Sequence, residues 1–345
     1  MSAININKAE IKKILLCQQR QIGDVVTATP VITLAHEAFP HAEIHFLTEA
    51  KCTPIVDNNP YITKTWSIDK DALSTIWKRT QFYHKIWKEH FDIVVDFQQL
   101  PRLRTATFFS QAPIRLAAQG KWYNRALYTH TYPQKDGYVA ISKASILESL
   151  GIHWNGQRPC MFLRDAERQE AQERLRAMGI TPQHHCISLD VSHKDMNRAW
   201  SQRHYARLID MAYEADPMVR FVAFWGPGEE RYVRDMAAMC QHQDAVRVIP
   251  ELFSLRIVAA CIEASCMHVG NCSAPRHMAV ALGTPTFTLR ADHSTSWTYP
   301  SPEHVQTEAW VHHDGAVSES WHASFTAEMA YPVFAEHFLN YKKTA

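Results

Sequence analysis

Residues 14–30 decide how this chain is read: Ile14-Leu15-Leu16-Cys17, then the polar stretch Gln18-Gln19-Arg20-Gln21-Ile22-Gly23, then Asp24-Val25-Val26-Thr27-Ala28-Thr29-Pro30. A short apolar run flanked by Lys12-Lys13 and by polar residues predicts a buried strand. After Asp24 the apolar positions Val31, Leu34, Ala35 and Ala38 recur at helical spacing as far as Phe39-Pro40. Pro30 then falls in the first turn of that helix, where its missing N–H costs little. Strand, polar turn and helix are the opening of a βαβ unit.

The same rhythm continues outward. Ile44–Leu47 and Ile93–Val95 read as further strands, with a helical pattern from Leu73 to Trp87 between them, which implies a parallel sheet. In the second half, strands are expected at Cys186–Leu189, Phe221–Trp225, Val246–Ile249, Met267–Val269 and Thr286–Leu289. Helices are expected at Gln202–Ala215, from the Gly226-Pro227-Gly228 turn through Met239, at Leu255–Ala264 and at Arg276–Leu282. Asn155 to Pro159 is polar and ends in proline, the start of a linker. The reading is α/β: two Rossmann-like doubly wound domains, residues 1–160 and 161–325, facing across a cleft, with ligands beyond the carboxyl ends of the strands. Residues 326–345 form a last helix with no strand after it, expected to pack across the domain joint.

Composition narrows the class. The 345 residues are 46% hydrophobic and 21% charged, which excludes disorder, collagen and coiled coil as whole-chain descriptions. No apolar run is long enough to span a membrane, and the N-terminus has no secretory h-region. Eight cysteines without a C-x-x-C pair read as reduced thiols in a cytoplasmic protein. Residues 1–160 carry 19 Lys/Arg against 13 Asp/Glu, and residues 161–345 carry 17 against 22. A basic first half favours an anionic partner, a phosphorylated or carboxylated substrate or an anionic membrane face, whereas the absence of a dense basic tract argues against nucleic acid. A chance imbalance of solvated charge explains the numbers equally well at this point.

Four segments carry chemistry. Asp24 opens a helix, where a carboxylate is stabilised by free N–H groups and the macrodipole; it reads either as a cap or as a general base, and position alone favours the cap. His268-Val269-Gly270-Asn271-Cys272-Ser273-Ala274-Pro275-Arg276-His277 is a strand, a polar turn and a helix start, suited to a diphosphate. Pro275 removes one N–H donor, leaving Ser273, Ala274, Arg276 and His277. Lys194 and Arg198, between Ser192 and Trp200, are cations able to neutralise a leaving diphosphate. Gly226-Pro227-Gly228-Glu229-Glu230 lacks the third glycine of a dinucleotide fingerprint, but its acids can bind ribose hydroxyls.

Together these segments resemble the ADP-heptose:lipopolysaccharide heptosyltransferases, glycosyltransferase family 9, of the GT-B fold, from about Lys12 to about Pro300. The most specific runs are Ile22 to Pro30 and Val269 to Ala279, in order and about 250 residues apart. The resemblance implies a metal-independent, inverting transfer of heptose from ADP-heptose to lipopolysaccharide inner core or a lipid A precursor. It implies no cofactor, and a peripheral position at the inner face of the inner membrane. Asp24 matches the family's catalytic aspartate. Lys194, Arg198, Glu229 or Glu230, Asn271, Cys272, Ser273, Ala274 and His277 fall at the donor, and Arg20, Gly23, Thr27, Arg102 and Arg104 at the acceptor. The family's turn usually reads Asn-Asp-Ser-Gly, whereas this chain has Asn271-Cys272-Ser273-Ala274. A thiol is a poor replacement for a carboxylate that contacts the donor sugar. The alternatives are therefore a GT-B transferase or epimerase using another nucleotide-sugar, and a non-catalytic binding relative.

Several signals are set aside. Asp69-Lys70-Asp71 matches a metal-binding D-x-D pattern but precedes a helical run, where capping explains it. Twenty histidines show no metal-ligand spacing, and no G-x-S-x-G or P-loop is present. Arg102, Arg104, Arg115, Lys121 and Arg125 form a basic group, either an acceptor grip or a solvated surface.

Overall fold

The computed structural model describes residues 4–120, 126–193, 195–290, 295–300, 306–310 and 324–342. It divides into two compact units, residues 1–162 and 163–345. In chain order the first unit contains β1 (Lys13–Cys17), α1 (Ile22–Val26), α2 (Thr29–Ala38), β2 (Glu43–Glu49), α3 (Thr53–Val56), β3 (Lys64–Ile68), α4 (Ile76–Trp87), β4 (Ile93–Asp96), α5 (Pro101–Ser110), β5 (Ile114–Ala118), β6 (His130–Tyr132) and α6 (Val139–Ala144). The second contains α7 (Asp165–Ala177), β7 (His185–Asp190), α8 (Gln202–Ala215), β8 (Val219–Phe224), α9 (Glu230–Ala238), β9 (Val246–Val248), α10 (Leu255–Glu263), β10 (Met267–Asn271), α11 (Ala274–Leu282), β11 (Thr286–Arg290), β12 (Gln306–Trp310) and α12 (Ala327–Tyr341).

Each unit has a six-stranded sheet whose described pairings are all parallel. The orders are β3-β2-β1-β4-β5-β6 and β12-β11-β10-β7-β8-β9, which are the same doubly wound order. The strand order reverses between β1 and β4 in the first unit and between β7 and β10 in the second. Loops leaving those neighbouring strands depart in opposite directions and open a crevice at their carboxyl ends. The central strands are apolar because both faces are covered: Leu15, Leu16, Cys17, Val94 and Val95 are fully buried, as are Ile187, Leu189, Met267 and Val269.

The edge strands β3, β6 and β12 were not among the expected elements, and the first helix differs from its expectation. The helix after β1 is two helices, α1 and α2, interrupted at Thr27-Ala28, with Pro30 in the first turn of α2. Proline offers no N–H to continue the α1 ladder, and the Val26 carbonyl it would have met accepts the Thr29 hydroxyl at 2.7 Å, so the chain restarts there. The last helix, α12, packs on α8 and along β11 and β12 of the second unit, with Phe334 and Phe338 in that unit's core.

Candidate functional site

In the first unit, Asp24 is the third residue of α1, not the residue before the helix. Its Oδ2 accepts the N–H of Gln21 at 2.9 Å and lies 3.4 Å from Nε2 of Gln98, which follows β4. Gln98 binds the loop after β1: its Oε1 accepts the N–H groups of Gln19 (3.1 Å) and Arg20 (2.9 Å), and its amide donates to the Arg20 carbonyl. Gln98 is itself set by buried Asp96, whose Oδ1 accepts its N–H at 3.0 Å and that of Gln99 at 2.7 Å. Burial pushes the Asp96 carboxyl up to about 6, against the pull of the Tyr128 hydroxyl at 2.7 Å and those amides. Among the described residues no hydrogen bond reaches Oδ1 of Asp24, so the half-buried carboxylate is anchored by one oxygen and open at the other.

Beneath it lies a cation. Lys143 of α6 is buried, and its Nζ donates to the Asp24 carbonyl at 2.6 Å and to Thr27 Oγ1 at 2.9 Å. Burial draws its pKa down to about 8, opposed by the charge of Asp24. An ammonium held this close under α1 offsets some of the negative charge that Asp24 presents.

In the second unit, β7 and β10 lie side by side, with Gly270 opposite Asp190. A Cβ at residue 270 would come within 2.5 Å of the Asp190 carbonyl oxygen, so only glycine lets the strands close here. The buried Asp190 carboxylate accepts the Ser273 hydroxyl at Oδ2. Ser192 Oγ sits 2.7 Å from Glu229 Oε2 and 3.3 Å from Asp190 Oδ1, and the Gly226 N–H donates to the same Glu229 oxygen at 2.9 Å. One hydroxyl proton cannot serve both acids, and the shorter contact is to Glu229. Burial pushes the Asp190 carboxyl up to about 7; the Ser273 bond opposes this and the Glu229 charge adds to it. Around neutral pH Asp190 is therefore divided between its acid and carboxylate forms.

Above this acid pair runs the turn into α11. Ser273 and Ala274 are half-exposed at its start. The Arg276 guanidinium, 1% exposed, donates to Cys272 Sγ and to Thr298 Oγ1, both at 3.2 Å. Free N–H groups at a helix start, with a cation fixed in the first turn, make a site for an anion such as a diphosphate.

The structure sorts the expected residues. Three expected ligands are buried. Asn271 is fully buried: its Oδ1 accepts the Trp200 N–H at 2.9 Å, and its Nδ2 donates to the carbonyls of Val191 (3.0 Å) and Ser192 (3.3 Å). It fixes the loop after β7 to the end of β10 instead of facing a donor. Thr27 is likewise buried, with its hydroxyl accepting from Lys143 and donating to the Asp24 carbonyl, so it supports Asp24 and does not face an acceptor. His277 is 5% exposed, with its ring 5.8 Å from that of Trp297. Glu229 joins the Asp190 group, while exposed Glu230 pairs with Arg234 along α9 at 2.8 Å. Arg198 is exposed after the loop from β7, Arg20 is exposed and Gly23 half-buried beside Asp24, and Arg102 and Arg104 are half-exposed on α5. The Arg115 guanidinium is taken by the carbonyls of Leu127 and Ala112. Asp69 Oδ1 accepts the N–H groups of Asp71 and Ala72, a turn cap. Lys194, Lys121 and Arg125 lie outside the described residues.

Lys143, Gln98, Asp190 and the Arg276 side chain were not expected. Lys143 is the one basic residue in 139–150, and Asp190 is the first acid after an apolar strand; both are weak sequence signals.

Residues 79–320 match the family model described as glycosyltransferase family 9 (heptosyltransferase). Lipopolysaccharide heptosyltransferase 3 of Escherichia coli is 23% identical over 278 residues, 77% of this chain and 80% of the relative. The glycosyl transferase family 9 structure from Veillonella parvula superposes with a TM-score of 0.86 at 18% identity, over 98% of this chain and all of that one. Escherichia coli heptosyltransferase WaaC, solved with ADP-2-deoxy-2-fluoro heptose, gives 0.71 at 18% identity, over 94% and 99%.

Proposed function

The chain belongs to glycosyltransferase family 9, the heptosyltransferases, and from that premise we propose that it moves heptose with inversion from ADP-heptose to the lipopolysaccharide inner core. Asp24 is the general base in this reading. The acceptor hydroxyl gives its proton to Asp24 as its oxygen attacks C1, and the bond from C1 to the diphosphate oxygen breaks with its electron pair leaving on ADP. The N-terminus of α11, Ser273, Ala274, Arg276 and Arg198 stabilise that leaving charge, so no metal is required. Cys272 lies at the same turn. Glu229 takes the ribose hydroxyls, and Arg20, Gly23, Arg102 and Arg104 meet the acidic sugars of the acceptor. The observation that carries the reading is the Asp24 carboxylate, held by Gln21 through one oxygen and open at the other, at the strand-order reversal of its sheet.

A second reading of the donor rests on Cys272. Its sulfur accepts from Arg276, a contact that presents the sugar with a different hydrogen-bonding partner than a carboxylate would. That favours a family 9 transferase with another sugar on its nucleotide. A thermal-shift series with ADP, UDP, GDP and CMP, followed by turnover with ADP-heptose, separates the readings. Selective stabilisation by ADP with turnover supports heptose transfer; ADP binding without ADP-heptose turnover moves the sugar; preference for another nucleotide refutes the ADP-heptose donor. Because the acceptor is an amphiphile, the reading also includes peripheral contact with an anionic membrane face in the cytoplasm.

A further inference from the structure

Five of the large apolar side chains exposed on this protein fall on two neighbouring helices. Ile76 (72% exposed), Trp77 (68%) and Trp87 (42%) are on α4, and Phe108 (49%) and Phe109 (42%) are on α5. The helices are packed together, with Phe109 stacked on Tyr83 at 5.7 Å. Their inner residues Tyr83, Ile86, Leu103 and Ala106 join one core cluster with Leu15, Leu47 and Val94, so both helices lie on the same face of the sheet and turn their outer sides the same way. Exposed apolar residues scattered singly need no explanation, but five of them on two packed helices, two of the five tryptophans, do.

The charge on these helices is of one sign. Residues 72–88 and 97–110 contain Lys78, Arg79, Lys85, Lys88, Arg102 and Arg104 and no Asp or Glu. Of the carboxylates that flank these two stretches, Glu89 pairs with Lys13 (2.9 Å) and Lys64 (2.6 Å), Asp92 accepts the N–H groups of Lys12 and Lys13, Asp96 is buried, and Asp71, just ahead of α4, is exposed. Exposed indole and phenyl rings beside lysines, with no acid among them, fit a surface that is apolar within and anionic at its edge.

The geometry points to the outer face of α4 and α5 as the surface that lies on an anionic phospholipid bilayer. It locates the membrane contact named in the reading above, yet it does not depend on the transfer reaction. Trp77, Phe108 and Phe109 sit at the acyl boundary, and Lys78, Lys85 and Lys88 meet the headgroup phosphates. No helix among the described residues is long and apolar enough to cross a membrane, so the contact lies on the surface.

The test is co-sedimentation of the full chain with vesicles that contain no saccharide: phosphatidylethanolamine with phosphatidylglycerol, against phosphatidylcholine alone. The expected result is pelleting with the anionic vesicles, a blue shift of tryptophan emission, and release as salt is raised. Each surface cation is worth about fivefold in partitioning, so Lys78→Glu/Lys85→Glu/Lys88→Glu should weaken binding by at least about 100-fold. Trp77→Ser/Phe108→Ser should weaken it while sparing the salt dependence. An unchanged thermal midpoint and unchanged stabilisation by ADP show that each variant is folded. Equal pelleting on neutral vesicles, or full binding by the triple variant, would overturn the assignment. So would binding that appears only when lipopolysaccharide is added, or a dimer that buries Trp77. Loss of ADP-heptose turnover would refute the transferase reading and leave this result standing.

Discussion

Replacing Asp190 with asparagine should detach donor binding from pH. Asp190 is buried at the end of β7, pushed up to about 7, and bonded directly to Ser273 at the start of α11. A phosphate held at Ser273 would lie about 6 Å from that carboxylate. At an effective dielectric constant of about 20, one unit of negative charge on each costs about 3 kcal/mol, roughly 100-fold in affinity. The wild-type Kd for ADP should therefore be low near pH 6, where Asp190 is protonated. It should rise by up to about 100-fold towards pH 9, and ADP binding above pH 7 should be accompanied by proton uptake. The asparagine variant keeps an acceptor for Ser273 and should show neither effect. Isothermal titration calorimetry in two buffers of different ionisation enthalpy measures both, and the ratio of the two proteins' Kd values cancels the titration of ADP itself. A ratio that stays flat from pH 6 to pH 9 would refute the reasoning. The same group acts on folding. Its folded pKa of about 7 lies above the ordinary 3.8, so its contribution is fully present below about pH 4 and is lost as pH rises to about 7, about 4 kcal/mol in total. Asparagine should remove that slope from urea-unfolding measurements.

Asp24→Asn should lower kcat by about 10²–10⁴ while costing at most about 1 kcal/mol of stability, because an amide oxygen can still accept the Gln21 N–H; wild-type turnover would remove Asp24 from the mechanism. Lys143 has a folded pKa of about 8, below its ordinary 10.5, so the folded state releases the proton first and stability should rise by about 3 kcal/mol from pH 8 to pH 10.5. Lys143→Met should abolish that rise, and unfolding curves with equal slopes for both proteins would contradict it. Gly270→Ala places a methyl group against the Asp190 carbonyl and should cost about 1–3 kcal/mol together with ADP affinity, whereas an unchanged melting temperature would show that β7 and β10 can separate freely.

The amino-acid sequence by itself determined the doubly wound pattern, because the central strands are short apolar runs between turn residues. Leu15 and Leu16, or Val94 and Val95, are legible as sheet interior without any partner in view. The edges were not. Lys64–Ile68 alternates in exposure, and His130–Tyr132 is three half-buried residues, so neither carries the apolar run that marks a strand covered on both faces. The motif runs at Ile22–Pro30 and Val269–Ala279 also brought Asp24 and the Ser273 turn forward, since a helix start following a strand is local information.

What surrounds those groups was decided only by the tertiary structure. Lys143 lies 119 residues from Asp24, Gln98 lies 74 from it, and Ser273 lies 83 from Asp190. No spacing rule connects them; the reversal of strand order does, by bringing the ends of β1 and β4, and of β7 and β10, side by side. The choice of Glu229 over Glu230 is of the same kind, for adjacent carboxylates become different once one accepts from Ser192 and the other pairs with Arg234. Burial acts the same way: it moves Asp190 and Lys143 towards neutral pH because charge is costly where water is excluded, and which positions exclude water is fixed by the packed fold.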